Sequence, residues 1–276
     1  MRRLFIATAL LLPLFAGSAA AEQKSVTAGQ GSESATLTYQ QSTNSFGGLT
    51  FSKLELQILH GGQSFYEQPV SSHFCDSECL PETFGGGPLA VKDLEGNGQP
   101  EVVLYLNTGG AHCCSIVQIF AFDPGVIAYR LIEHNFGDPG ALLTDVSGDG
   151  RLEFESADDR FAYEFTSFAY SGLPLQIWRF HEGELINATR EFPAAIAADA
   201  RRQLSAFRAN RSKGLGLGFI AAWAADEYLL NHRPLVSRTL AGEARGGRLR
   251  SGESFSPGGR KFIAKLERFL KQTGYG

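Results

Sequence analysis

Asp93-Leu94-Glu95-Gly96-Asn97-Gly98-Gln99-Pro100-Glu101 and Asp145-Val146-Ser147-Gly148-Asp149-Gly150-Arg151-Leu152-Glu153 follow one pattern. Each carries oxygen-bearing side chains at loop positions 1, 3, 5 and 9, with glycine at 4 and 6. Paired glycines permit the left-handed turns that wrap a chain around an ion. A hard cation such as calcium takes about six to eight oxygens at about 2.3–2.6 Å, which alternate residues of a tight loop can supply. The candidate calcium ligands are therefore Asp93, Glu95, Asn97, Gln99 and Glu101, and Asp145, Ser147, Asp149, Arg151 and Glu153. Turns rich in Asp, Asn and Gly also join strands without any ion. Two copies, each leading into an apolar strand, favour a cation in at least one. Neither is an EF-hand, since position 12 is Leu104 or Ser156 rather than Glu.

Working outward, Leu89–Lys92 leads into the first loop and 102–106 leaves it; 141–144 leads into the second and Phe154 begins its exit. Ser115-Ile116-Val117-Gln118-Ile119-Phe120-Ala121-Phe122 matches Leu175-Gln176-Ile177-Trp178-Arg179-Phe180 in character. Each unit reads as strand, acidic loop, strand, turn, strand, at a period of roughly 50–60 residues, as in propeller blades and related β arrays. The units, over roughly 89–180, resemble the FG-GAP and VCBS-type repeats of secreted and cell-surface proteins. In that family the loop runs about Asp-x-Asp/Asn-Gly-Asp-Gly-x-x-Asp and often holds calcium. Here Glu stands at position 9 in both loops, Ser147 is uncharged, and Glu95 is longer than the family's residue. The resemblance implies antiparallel blades stiffened by calcium and a binding role.

Residues 22–34 are polar and rich in Gly and Ser, and predict a flexible lead-in. Alternating apolar residues predict strands over 35–39 and 51–58, and His60-Gly61-Gly62-Gln63 a hairpin turn before a strand at 64–70. From Arg190 the period changes. Ile196, Ala200, Leu204 and Phe207 mark an amphipathic helix, and Phe219–Asn231 a second. Between them Gly214-Leu215-Gly216-Leu217-Gly218 reads as a linker. A short helix to Leu240 and a last one opened by Pro257 follow, with Gly274 as its C-cap. The expected fold is α+β: antiparallel β blades over 35–189, propeller-like or an open sheet, then a helical region over 190–276.

Met1–Ala21 has the charged start, apolar core and Ala-rich end of a secretory signal peptide. It predicts a chain exported to the periplasm or beyond the cell, with no transmembrane segment after cleavage. Residues 22–189 hold 7 basic and 22 acidic side chains, whereas residues 190–276 hold 16 basic and 7 acidic. The halves complement each other, and a nucleic-acid partner is not expected. Export suits disulfides: Cys75 with Cys79 and Cys113 with Cys114, or two links between the pairs. The alternative for His112 and the four cysteines is zinc. No Gly-x-Ser-x-Gly elbow or His-x-x-x-His pair is present. The function read from the sequence is an exported, calcium-stabilised, non-enzymatic module binding a protein or glycan. The alternatives are an exported hydrolase, using carboxylates near 153–159 or His112, and a polyanion-binding stripe of Arg201, Arg202, Arg208 and Arg211.

Overall fold

The computed structural model describes residues 21–76, 78–82, 86–110, 112–252 and 256–276. Residues 1–20 of the expected signal segment lie outside the described residues. The chain is α+β, with antiparallel sheets followed by C-terminal helices.

The first sheet is a meander of β1 (Glu22–Gln30), β2 (Glu33–Thr43), β3 (Leu49–His60) and β4 (Gln63–Pro69). The second holds β5 (Leu80–Pro81), β6 (Leu89–Lys92), β7 (Glu101–Gly110), β8 (Cys113–Asp123) and β9 (Ala128–Gly137), with β5 and β6 both on β7. The third is a meander of β10 (Leu142–Thr144), β11 (Glu153–Ala157), β12 (Leu175–His181) and β13 (Glu184–Asn187).

These sheets are stacked face to face, and period-two alternation explains how. On β7, Val102, Leu104 and Leu106 join Leu37, Leu56 and Ile58 of the first sheet in one core. Val103 and Tyr105, pointing the other way, meet Phe154 and Phe180 of the third sheet. The second sheet is buried on both faces, so β7 reads as a near-continuous apolar run. Buried Glu33 adds a polar tie between the first two sheets, accepting hydrogen bonds from the Tyr129 hydroxyl and facing the His60 ring.

The helices are α1 (Pro193–Asn210), α2 (Leu217–Leu229), α3 (Arg233–Arg245) and α4 (Gly259–Gln272). Ile196 and Phe192 close over Leu175 and Ile177 on the outer face of the third sheet. A second core gathers Phe161, Phe207, Trp223, Phe262 and Leu266 around α2, which is apolar nearly all round because other elements surround it.

Three expectations need correction. Residues 22–30 are not a flexible lead-in: they pair with β2 along their whole length, and Val26 and Ala28 rest on the core. The glycine run at 214–218 is only partly a linker, because Leu217 and Gly218 belong to α2. A Cβ on Gly218 would lie 2.5 Å from the Tyr170 carbonyl oxygen, so the glycine lets the helix approach that turn. Each repeat unit also has a fourth strand, β9 or β13.

Candidate functional site

The acidic loops are the β6–β7 and β10–β11 connections, and they share one hydrogen-bond frame. At position 1, Asp93 accepts from the backbone N–H of Asn97 (3.1 Å) and Gly98 (2.8 Å), and Asp145 from Asp149 (3.1 Å) and Gly150 (2.9 Å). At position 5, Asn97 Oδ1 and Asp149 Oδ1 accept from the N–H of Gln99 (2.8 Å) and Arg151 (2.9 Å). At position 9, Glu101 and Glu153 reach back to the N–H of Leu94 (2.9 Å) and Val146 (3.3 Å). The glycines at positions 4 and 6 have φ of 69° and 84° in the first loop and 78° and 88° in the second. Glycine adopts this region without the cost a Cβ brings.

The loops differ in how the position-9 carboxylate is neutralised. Glu153 is fully buried and faces the Arg179 guanidinium, whose Nε lies 3.4 Å from Glu153 Oε1 and whose Nη1 lies 2.6 Å from Glu191. Phe154, next to Glu153, is paired with Trp178, so Arg179 stands one step along the neighbouring strand. Val102, next to Glu101, is paired with Phe120, and the corresponding next residue is Ala121. Where the third sheet has a guanidinium, the second has a methyl group. A cleft of about 200 Å³ opens there, lined among others by Glu95, Asn97, Gln99, Glu101, Ala121 and Arg130, whose guanidinium is paired with Asp123 at 3.3 Å.

Burial pushes the Glu101 carboxyl up to about 7, opposed by the Leu94 N–H and reinforced by the charges of Glu95 and Asp93. Glu95 is partly engaged, accepting from the Glu182 N–H with His181 3.7 Å away. Among the described residues no three His, Cys, Asp or Glu side chains converge into a metal-holding group. The donors of the first loop nevertheless suit a hard cation in kind: they are oxygens and carry excess negative charge, and all but Asp93 line one cleft. In the second loop Arg179 already supplies the positive charge.

Cys75 and Cys79 lie at disulfide distance, with Cα atoms 5.6 Å apart, and Cys113 and Cys114 are neighbours at the start of β8. Sulfurs of the Cys75–Cys79 pair, once bridged, are not thiolate zinc ligands. His112, at the tip of the β7–β8 hairpin, rests on Phe168 at 4.2 Å between ring centroids. Of the arginine stripe, Arg202 is paired with Asp199 and Arg211 with Glu243.

A second feature lies between the facing sides of β9 and β12. It is a cleft of about 310 Å³ lined by His134, Asn135, Asp159, Gln176, Trp178 and Asn187, among others. The His134 and Trp178 rings are 4.3 Å apart, and burial lowers the pKa of His134, favouring the neutral ring. Of the two carboxylates here, Asp158 is held by Arg160 at 2.6 Å and by the Tyr275 hydroxyl at 2.9 Å. Burial raises the pKa of Asp159, and the charges of Asp138 and Asp158 add to the effect. Paired-carboxylate hydrolysis needs two available groups, and this cleft offers one. The sequence pointed to the carboxylates of this cleft, at 158–159, but not to its aromatic and amide lining, nor to Arg179. Their residues come from separate strands, and only the face-to-face stacking brings them together.

No family model matches the chain, and no solved structure matches it. It is 28% identical over 161 residues to a probable thylakoid lumen protein of Synechocystis, covering 51% of this chain and 43% of that protein. It is 30% identical over 137 residues to an uncharacterized protein of Sinorhizobium fredii, covering 48% of this chain and 21% of that one. The chain therefore spans less than half the length of these curated relatives.

Among the described residues no helix is long and apolar enough to cross a membrane.

Proposed function

We propose that this chain is an exported β module that binds a protein or glycan without catalysis, stiffened by calcium at the first acidic loop. The observation that carries the calcium assignment is the exchange between equivalent positions. Arg179 faces Glu153, whereas Ala121 stands beside Glu101, and the guanidinium that lines this cleft, Arg130, is paired with Asp123 instead. A buried carboxylate requires a counter-charge or a proton. In the first loop calcium would stand where the second has a guanidinium, held by Asp93, Asn97, Gln99, Glu101 and Glu95. The two equivalent loops, each set in a β meander, also support the FG-GAP/VCBS-type reading. The signal-like segment, the disulfide-distance pair Cys75–Cys79 and a relative named for a lumen support export. Binding rather than hydrolysis is favoured because Asp158 is tied to Arg160 and Tyr275.

Thermal unfolding with calcium and with chelator tests the reading. Calcium at about 100 times its Kd stabilises the native state by about 2.7 kcal/mol, a visible upward shift in Tm. Equal Tm values in both conditions refute the calcium assignment.

A further inference from the structure

We infer that the cleft between β9 and β12 is a binding site for a neutral saccharide, an assignment that rests on the chain being a binding module. Three amide side chains line it, and the protein fixes the orientation of each. Asn135 Oδ1 accepts from the Gly137 N–H (2.8 Å), Gln176 Oε1 from the Trp178 indole N–H (3.2 Å), and Asn187 Oδ1 from the Thr189 N–H (3.1 Å) and hydroxyl (2.7 Å). With their oxygens engaged, the three amides have NH2 groups to offer a ligand rich in acceptor oxygens.

The Trp178 indole beside the His134 ring, 4.3 Å between centroids, provides an aromatic surface for the C–H face of a sugar. The charges argue against an ionic ligand. Asp158 and Asp159 oppose an anion, and the Arg160 guanidinium, already bonded to Asp158, opposes a cation. Through Arg160, Gln176 and Asn187 the cleft adjoins a second, also about 310 Å³, that reaches Thr189, Arg190 and Tyr275. Two adjoining clefts suit a chain of sugars better than a single ring.

The test is a fluorescence titration of the purified chain with maltohexaose, cellohexaose and chitohexaose. Trp178 and Trp223 are its tryptophans, and Trp223 is buried in the helical core, so a ligand-induced change reports on Trp178. A saturable change with at least one hexaose is expected. Asn187→Asp keeps the acceptor oxygen for Thr189 and removes the NH2, so it should weaken that binding about tenfold or more with little change in Tm. Trp178→Ala, followed by calorimetric titration, should abolish it in a protein that still melts cooperatively. No change with any of the three up to about 10 mM, or binding that survives Trp178→Ala, overturns the inference. If a random peptide library shifts Trp178 emission and the hexaoses do not, the saccharide assignment falls while the binding-module reading stands. If neither does, both fall.

Discussion

At the scale of single residues, buried polar groups do most to specify how the parts meet. Glu33 is almost wholly buried between sheets, where Tyr129 donates to it. Removing its carboxylate leaves that hydroxyl and His60 without their partner, so Glu33→Ala should cost about 1.5–3 kcal/mol by urea unfolding. Glu33→Gln, which keeps an acceptor, should cost less. Asp226 on α2 is a different case. It is fully buried beside Asp199, and burial, reinforced by that neighbouring charge, pushes its pKa up to about 10. Neither its Oδ1 nor its Oδ2 has a hydrogen-bond partner. Both effects favour the neutral carboxyl, with Asp199 beside it.

At the scale of elements, the two acidic loops are a natural comparison within one molecule. Arg179→Ala should leave Glu153 buried without its counter-charge and destabilise the calcium-free protein by about 2–4 kcal/mol, measured by urea unfolding. Part of that loss should be recovered by calcium, because the second loop then resembles the first. Ala121→Arg should do the reverse, raising Tm in chelator and shrinking the calcium-induced shift. The loops were legible in the sequence because Asp, Gly and Glu at fixed spacing act locally. The strands that alternate cleanly, such as β2, β3 and β12, were legible for the same reason. β1 was not, because its Ser-, Thr- and Gly-rich sequence carries only Val26 and Ala28 toward the core. β9 was missed because Arg130, Glu133, His134 and Asn135 obscure its alternation at the edge of the second sheet. Arg179 carries no local signal within its strand. Its role depends on Glu153 of a neighbouring strand, 26 positions earlier in sequence.

At the scale of the whole molecule, the acidic sheets and basic helices meet through specific contacts. Tyr275 donates to Asp158, Lys265 pairs with Glu164, and Ile196 packs on Ile177. The helical region thus covers the outer face of the third sheet. The pH dependence of global stability should carry the signature of Asp226. Its folded pKa lies above the unfolded value of about 3.9, so its contribution is fully present below that value and is lost as pH rises toward about 10. Asp226→Asn should remove this decline, raising Tm relative to the native sequence at pH near 8 and leaving a smaller difference near pH 4. Paired thermal melts across that range would check it, and parallel curves would show that Asp226 does not titrate between these states.

The most direct test of the account is the stoichiometry of calcium binding to the metal-stripped chain by isothermal titration calorimetry. One ion per chain, at the first loop, is expected, because Arg179 fills the corresponding role in the second. Two ions would contradict the part given to Arg179, and none would show that both loops are turns held by their own hydrogen bonds.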